Sequence, residues 1–166
     1  MLKIIVAHDS AFLIGNKNKL PWKIEEDTKH FRKEIFEQEI LMGRITYESI
    51  KDFKDSFNVK KIIVMTKNLD YDSKDQNVLV FHKVIDVLKY AQDKDIYICG
   101  GSKIYQLFLP YVKEMIITEI KGRYEGDSYF PLYNNKEFKL IKTEKLSDRA
   151  SVKYLVRIDK KDSLFT

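Results

Sequence analysis

Asp27 is the residue whose type and position most directly indicate chemistry. It lies on the inward stripe of a helix predicted over residues 25–36, in line with Ile24, Phe31 and Ile35. A carboxylate on an apolar face is costly to bury unless a partner compensates its charge. Either the protein or a ligand with hydrogen-bond donors must provide that partner. The alternative is that Asp27 only caps the start of its own helix.

Two junctions between a predicted strand and a predicted helix have the residues of an anion site. In LMGRIT, Gly43 allows close approach of a ligand, and Arg44 and Thr46 open the helix. In ICGGSK, Gly100-Gly101 follows a strand, and Ser102 can cap the next helix. Helix N-termini attract phosphate, so the pair suits a ligand with two phosphate-bearing ends. Alternatively, the glycine pair forms an ordinary tight turn.

A third strand end places Thr66 and Lys67 where they can lie beside Arg44. Two cations and two hydroxyl groups, including that of Thr46, would suit a terminal phosphate monoester. The alternative is an exposed turn. The sequence contains neither GxGxxG nor GxxxxGK[ST], so a nucleotide would have to bind through another arrangement.

The elements that must position these residues alternate between strands and helices. We predict eight strands, at 2–7, 40–42, 61–66, 78–81, 96–99, 115–120, 138–143 and 151–158. Four helices are predicted at 25–36, from about 44, at 84–91 and at 102–109. The pattern indicates a single α/β domain over 1–166 with a mixed, mostly parallel sheet, whose C-terminal edge is antiparallel. A turn-rich loop over 9–22 and a short polar tail over 159–166 complete the prediction.

Composition excludes several classes of protein. The chain has 166 residues, of which 44% are hydrophobic and 33% charged, and it lacks an apolar run of membrane-spanning length or a secretory signal. We expect a cytoplasmic protein with no membrane partner. The net charge of +5 is spread along the chain, which favours a solvated basic surface over a DNA-binding site.

Cysteine and histidine give little indication of chemistry. One cysteine excludes an internal disulfide, and no Cys/His grouping has metal-ligand spacing, so we expect no metal. The three histidines are isolated, with no nucleophile in a supporting motif. His30 is predicted to be solvated on the polar side of its helix.

The motifs taken together resemble bacterial dihydrofolate reductase. The segments VAHDSAFLIGNKNKLPWKIEEDTKHF, LMGRITYESI, IYICGGSKIYQLFLP, ITEI and EGDSYFP occur in the order of that family, and they cover essentially the whole chain. The resemblance implies NADPH-dependent reduction of 7,8-dihydrofolate to tetrahydrofolate, with hydride transfer to pterin C6 and protonation of N5. It also implies a monomer that antifolates inhibit.

The resemblance assigns roles to individual residues. Asp27 is expected to hydrogen-bond the pterin amino group and ring nitrogen, with Trp22 holding an ordered water and Thr118 bracing the carboxylate. Leu20 is expected to lie on a mobile lid formed by residues 16–20. Together with Tyr105, these are the expected catalytic residues: Leu20, Trp22, Asp27, Tyr105 and Thr118. The expected substrate contacts are Ile5, Val6, Ala7, Asp27, Thr28, Phe31, Ile50, Lys60, Cys99 and Thr118.

The expected cofactor contacts cover both junctions, the loop and the third strand end: Ala7, Ile14, Gly15, Asn18, Gly43, Arg44, Ile45, Thr46, Thr66, Lys67, Cys99, Gly100, Gly101, Ser102, Lys103, Ile104 and Tyr105. The family's glycine–glycine bond is cis, and we expect the same at Gly100-Gly101. Three positions depart from the family: Lys60 stands where an arginine usually grips the folate α-carboxylate, Thr28 replaces an apolar residue, and His8 takes a place that is more often apolar. Lysine lacks the bidentate geometry of arginine.

Two alternatives remain open at this point. One is a related pterin or pyrimidine reductase on the same fold. The other is a basic nucleotide-binding or RNA-binding module without catalysis, whose binding would depend steeply on salt.

Overall fold

A central eight-stranded sheet organises the protein, as predicted. The computed structural model describes residues 1–158, so the predicted tail over 159–166 lies outside the described residues. The strands are β1 (Leu2–His8), β2 (Leu13–Gly15), β3 (Glu39–Gly43), β4 (Lys61–Met65), β5 (Val78–Phe81), β6 (Ile96–Ile98), β7 (Glu114–Ile120), β8 (Ser128–Tyr129), β9 (Phe138–Ser147) and β10 (Ala150–Arg157). The helices are α1 (Glu25–Ile35), α2 (Arg44–Ile50), α3 (Val84–Tyr90) and α4 (Ser102–Phe108).

The order of strands in the large sheet is β5-β4-β3-β6-β1-β7-β10-β9. All neighbours from β5 to β7 are parallel, and β10 and β9 pair antiparallel at the C-terminal edge, which confirms the predicted arrangement. β1 lies near the centre and is covered on both faces, so its sequence LKIIVAH is almost continuously apolar.

The core forms two layers, one on each face of the sheet. Side chains alternate along a strand, so Ile4 and Val6 pack into one layer, whereas Ile5 packs into the other. Helices α3 and α4 cover the first layer, for example through Phe108. Helices α1 and α2 cover the second, for example through Ile35.

Two short strands were missed by the sequence prediction. β2 pairs with β8 in a separate two-stranded sheet, in which Leu13 lies opposite Tyr129 and Gly15 opposite Ser128. They have three and two residues, which is too short for a period-2 pattern to be visible. Through this small sheet, the 9–22 loop is paired with the segment that follows β7.

The register brings the predicted functional residues to the carboxyl ends of the parallel strands. Ala7 on β1 lies beside Thr118 on β7, and Gly43 on β3 lies beside Met65 on β4. Ligands of open α/β sheets bind at this edge. Among residues 1–158, no helix combines the length and the apolar character needed to cross a membrane.

Candidate active site

Asp27 is buried at the start of α1, and its carboxylate has one side-chain donor. It is 5% exposed, and the Nε1–H of Trp22 donates to its Oδ2 over 3.1 Å. The structure shows this direct hydrogen bond, and the expected role of Trp22 in holding an ordered water stays a prediction. Burial raises the pKa of Asp27, whereas the Trp22 hydrogen bond and the charge of His30 lower it. The net effect is a raised pKa, because burial outweighs these two interactions.

Asp27 lines a cavity of about 590 Å³ between α1, α2 and the carboxyl ends of the strands. Its lining is mostly apolar, with few polar groups, which is typical of a small-molecule site. The predicted residues that line it are Ile5, Val6, Ala7, Ile14, Gly15, Asn18, Leu20, Asp27, Thr28, Phe31, Thr46, Ile50, Cys99, Gly100, Gly101, Tyr105 and Thr118. Residues predicted from separate motifs along the chain therefore meet around a single cavity.

Tyr105 and Cys99 are held within the protein. The Tyr105 hydroxyl donates to the carbonyl oxygen of Ile5 over 2.7 Å, and burial raises its pKa well above the usual value. Burial likewise raises the pKa of the Cys99 thiol. Neither group is ionised near neutral pH, so both act as neutral walls of the cavity.

The two predicted anion junctions adjoin at the sheet edge. The Gly43 N–H donates to the Gly100 carbonyl over 2.9 Å, and a Cβ on Gly101 would lie 3.5 Å from Thr46 Oγ1. The Gly100-Gly101 peptide bond is cis, as expected. Neither α2 nor α4 has a side-chain cap at its N-terminus. Ser102 was expected to cap α4, but its hydroxyl donates to the carbonyl of Tyr129 over 2.6 Å.

Uncapped helix starts fit a ligand that carries phosphate groups. Because β3 and β4 are parallel and in register, Thr66 and Lys67 follow β4 where Arg44 follows β3. Arg44 and Lys67 are exposed. This edge therefore fits the phosphate groups of a nicotinamide dinucleotide, and the cofactor set predicted outside the cavity lies along it: Gly43, Arg44, Ile45, Thr66, Lys67, Ser102, Lys103 and Ile104.

The loop over 9–22 covers the cavity and is fastened to the segment that follows β7. Near its tip, the Asp127 N–H donates to the Gly15 carbonyl over 3.1 Å, and the Lys17 N–H approaches Asp127 Oδ1 at 3.3 Å. A Cβ on Gly126 would lie 2.4 Å from the Gly15 carbonyl oxygen, so only glycine allows this approach. Leu20 is 55% exposed and lies at the cavity mouth.

Known proteins identify the family of this fold and site. The family model described as "Dihydrofolate reductase" matches residues 1–160. The chain belongs to the dihydrofolate reductase family. It is 36% identical over 134 residues to the dihydrofolate reductase of Mycoplasma pneumoniae, covering 78% of this chain and 82% of that one. It is also 36% identical over 137 residues to the enzyme of Enterococcus faecium, covering 81% and 80% respectively.

A solved structure supports the same conclusion. Dihydrofolate reductase from Enterococcus faecalis, complexed with NADP(H) and RAB-propyl, superposes with a TM-score of 0.85 at 29% identity, covering 96% of this chain and 97% of that one. Membership of the dihydrofolate reductase family confirms the predicted activity, the reduction of dihydrofolate with NADPH.

Two predictions about residues near the cavity differ from the structure, those for Lys60 and His30. Lys60 is exposed and does not line the cavity, because it precedes β4 at the opposite end of the strand. His30 was expected to be solvated, but it is 7% exposed and lines the cavity. Thr118, which is 2% exposed on β7, lines the cavity together with Asp27, and its bracing of that carboxylate stays a prediction.

Arg32 is one of the cavity residues that sequence reasoning missed. Its Nη1 donates to the Ser56 carbonyl over 2.8 Å, and its guanidinium lies 4.9 Å from the centre of the Phe57 ring. Both Arg32 and Phe57 line the cavity. The sequence contained one indication: Arg32 follows Phe31 and lies five positions after Asp27, so the same helix could carry all three to one ligand. Other lining residues that were not predicted are Lys19, His30, Ile40, Met42, Ser49, Phe53, Phe57 and Ser128.

Proposed function

We propose that the cavity binds dihydrofolate with its pterin against Asp27, and that NADPH lies along the carboxyl ends of the strands. One observation carries the proposal: the buried carboxylate of Asp27 has a single side-chain donor, Trp22, in a cavity of mostly apolar walls. A ligand that presents two adjacent N–H donors satisfies such a group, because parallel hydrogen bonds to a carboxylate are strong.

Asp27 acts by orienting and polarising the pterin. Trp22 occupies one side of Oδ2, so the remaining lone pairs accept from the amino group and the ring nitrogen of the substrate. Because burial raises the pKa of Asp27, the carboxylate holds a donor-rich ligand more strongly than an exposed one would. Water admitted past the loop protonates N5, since the carboxylate lies against the other side of the ring.

The cofactor is held by the chain's backbone and by cations. NADPH, when bound, supplies the hydride for C6. The uncapped starts of α2 and α4 bind its phosphates, and Arg44, Thr66 and Lys67 bind the adenosine 2′-phosphate. Tyr105, whose hydroxyl is tied to Ile5, forms a rigid wall beside the nicotinamide.

The apolar walls position the rest of the substrate. Ile5 and Phe31 pack against the pterin and the benzoyl ring, and Ile50 contributes from α2. At the open end, Arg32 takes the α-carboxylate of the glutamate in place of Lys60. Its guanidinium is held by Ser56 and Phe57, so little side-chain entropy is lost when it binds a carboxylate.

The 9–22 loop acts as a lid over these groups. Leu20 closes the mouth and excludes bulk water, which strengthens electrostatic interactions inside. The contacts from the Lys17 N–H to the Asp127 carboxylate are exposed and long, at 3.3 and 3.4 Å, so these two contacts break easily when the tip opens.

The test is the loss of NADPH absorbance on addition of dihydrofolate. We expect rapid oxidation that an antifolate stops, and much slower oxidation with an unrelated pterin or a pyrimidine in place of dihydrofolate. A folded protein that does not consume NADPH refutes the proposal. Preference for another pterin would support the related reductase, and tight RNA binding without turnover would support the non-catalytic alternative.

We propose a cytoplasmic monomer that is one domain over 1–166, as the resemblance to the family implies. Light scattering on the purified protein checks the monomer, since a dimer would double the measured mass.

A further inference from the structure

Asp9 is a second buried carboxylate, outside the cavity, and its partners differ from those of Asp27. It is 1% exposed, and its two oxygens accept hydrogen bonds from three backbone N–H groups. Oδ1 accepts from Ala11 over 2.8 Å and from Leu13 over 2.9 Å, whereas Oδ2 accepts from Tyr124 over 2.8 Å. The carboxylate thus joins the base of the 9–22 loop to the segment that follows β7.

Neighbouring contacts fix the same joint. The Ser10 N–H and hydroxyl both donate to the Gly122 carbonyl, over 3.1 and 2.7 Å. The Phe130 N–H donates to the Phe12 carbonyl over 2.8 Å. These bonds and those of Asp9 fix the base of the loop to the segment that follows β7.

Tyr124 connects this joint to the catalytic carboxylate. Its ring packs edge-on against Trp22, with 5.5 Å between ring centroids, and its hydroxyl accepts a hydrogen bond from Arg149 Nη2 over 3.0 Å. Trp22 in turn donates to Asp27 over 3.1 Å. An unbroken series of contacts therefore runs from Asp9, through the Tyr124 backbone and ring, to the indole that holds Asp27.

We propose that Asp9 is a positioning residue for the reaction, because it holds Tyr124 against Trp22 and so fixes the indole N–H on Asp27. If Asp9 served only to hold the loop, one oxygen that accepts from the N–H groups of Ala11 and Leu13 would be enough. An asparagine side chain has such an oxygen. The second oxygen, directed at Tyr124, is the part of the side chain that serves the active site. The inference rests on the proposed role of Asp27.

Asp9→Asn separates these two tasks. The amide oxygen can still accept from Ala11 and Leu13, but the amide NH₂ then meets the N–H of Tyr124, donor against donor. Tyr124 should move, and Trp22 should lose its alignment on Asp27. Because the Trp22 hydrogen bond favours the charged form, its weakening raises the proton affinity of Asp27 by about 3- to 10-fold.

Trp22 is the only tryptophan in the chain, so its fluorescence reports this site without any turnover. An acid titration of the emission of the wild type should show a step as Asp27 binds its proton, and Asp27→Asn should lack that step. In Asp9→Asn we expect the midpoint to move to higher pH, together with an approximately tenfold lower rate of NADPH oxidation at saturating substrate.

The matched control is Glu39→Gln. Glu39 is also a buried carboxylate, 7% exposed, and it accepts a hydrogen bond from Tyr90, but it lies at the start of β3, outside the cavity lining. This variant should lower Tm and leave the fluorescence midpoint unchanged. If Asp9→Asn behaves in the same way, with a lower Tm and an unchanged midpoint, Asp9 is merely structural and the proposal is overturned.

A second variant keeps the proposal testable if Asp9→Asn fails to fold. Tyr124→Leu keeps the backbone N–H on Asp9 but removes the ring that contacts Trp22, so it should also raise the midpoint. An unchanged midpoint in Tyr124→Leu overturns the proposal as well. If the wild type does not oxidise NADPH yet both midpoints shift, the proposed function fails while the positioning role of Asp9 stands.

Discussion

Asp27→Asn is expected to stabilise the protein at neutral pH while it removes most of the activity. The amide keeps the shape of the side chain and an oxygen that can accept the Trp22 N–H, which now lies 3.1 Å from Oδ2. It removes a charge from a position that is 5% exposed. A buried group that lacks partners costs about 1–3 kcal/mol, so the free energy of unfolding should rise by that amount. For a domain of this size, Tm should rise by about 2–10 °C.

The gain in the free energy of unfolding that Asp27→Asn brings should increase as pH rises. Burial raises the pKa of Asp27 above the usual 3.8. The folded chain therefore binds this proton at a higher pH than the unfolded chain does. The free energy of unfolding of the wild type falls as pH rises from 3.8 through the raised pKa of Asp27. The variant lacks this loss, so its advantage should be smallest in acid and largest at neutral pH.

Urea unfolding of both proteins across this pH range measures the effect, and NADPH oxidation measures the loss of activity. We expect activity at neutral pH to fall by about 10²- to 10⁴-fold, with partial recovery in acid, where solution protonates the substrate. Asp93→Asn is the control, because that side chain is 85% exposed and its loss should leave stability unchanged. The reasoning about buried charge would be refuted if Asp27→Asn were less stable than the wild type at neutral pH. It would also be refuted if the difference in the free energy of unfolding between the two proteins were the same at every pH.

Three further predictions follow from the same geometry. Arg32→Ala should raise the KM for dihydrofolate by about tenfold, because a charge-assisted hydrogen bond to the substrate is lost. Lys60→Ala is the comparison and should leave this KM nearly unchanged. If both variants raise the KM equally, Lys60 also contacts the glutamate tail of the substrate. Arg44→Ala should raise the KM for NADPH by at least about tenfold but leave that for NADH nearly the same, and equal weakening would mean that Arg44 does not contact the 2′-phosphate. Gly126→Ala should displace the 9–22 loop, because the added Cβ would lie 2.4 Å from the Gly15 carbonyl oxygen. Both kcat and Tm should fall. An unchanged kcat would mean that turnover does not depend on the position of this loop.

The large sheet was predictable because it depends on local patterns, whereas most of the predicted cavity wall came from the resemblance to the family. Continuous apolar runs such as β1 and β6 indicate central strands. The residues that follow parallel strands meet at the carboxyl ends of these strands, whatever the order of the strands in the sheet. The misplaced charge of Asp27 was visible because it interrupts an apolar stripe of helical period.

The missed features depend on contacts between segments far apart in the chain. The helical period placed His30 on the polar side of α1, but β9 and β10 cover that side, where the Tyr154 ring lies 6.4 Å from the His30 ring. Lys60 was placed by family order, whereas the cations that line the cavity in the structure are Lys19 and Arg32, the latter on α1. Asp9 appeared to be an ordinary loop residue because its donor Tyr124 is 115 positions away.

Asp9 and Asp27, two of the buried carboxylates, show how a structural acid differs from one that is proposed to bind a ligand. Both carboxylates are removed from water, but Asp9 accepts hydrogen bonds from three backbone N–H groups instead. These bonds outweigh the effect of burial on the pKa of Asp9, which is lowered. Asp27 has one donor, and its pKa is raised. Their effects on folding therefore have opposite signs. Asp9 contributes stability that is complete above 3.8 and lost as pH falls through its lowered pKa, whereas Asp27 reduces stability as pH rises above 3.8. The protein keeps Asp27 short of donors at a cost in stability, and this shortage leaves its oxygens free to accept hydrogen bonds from a ligand, which we propose is the pterin.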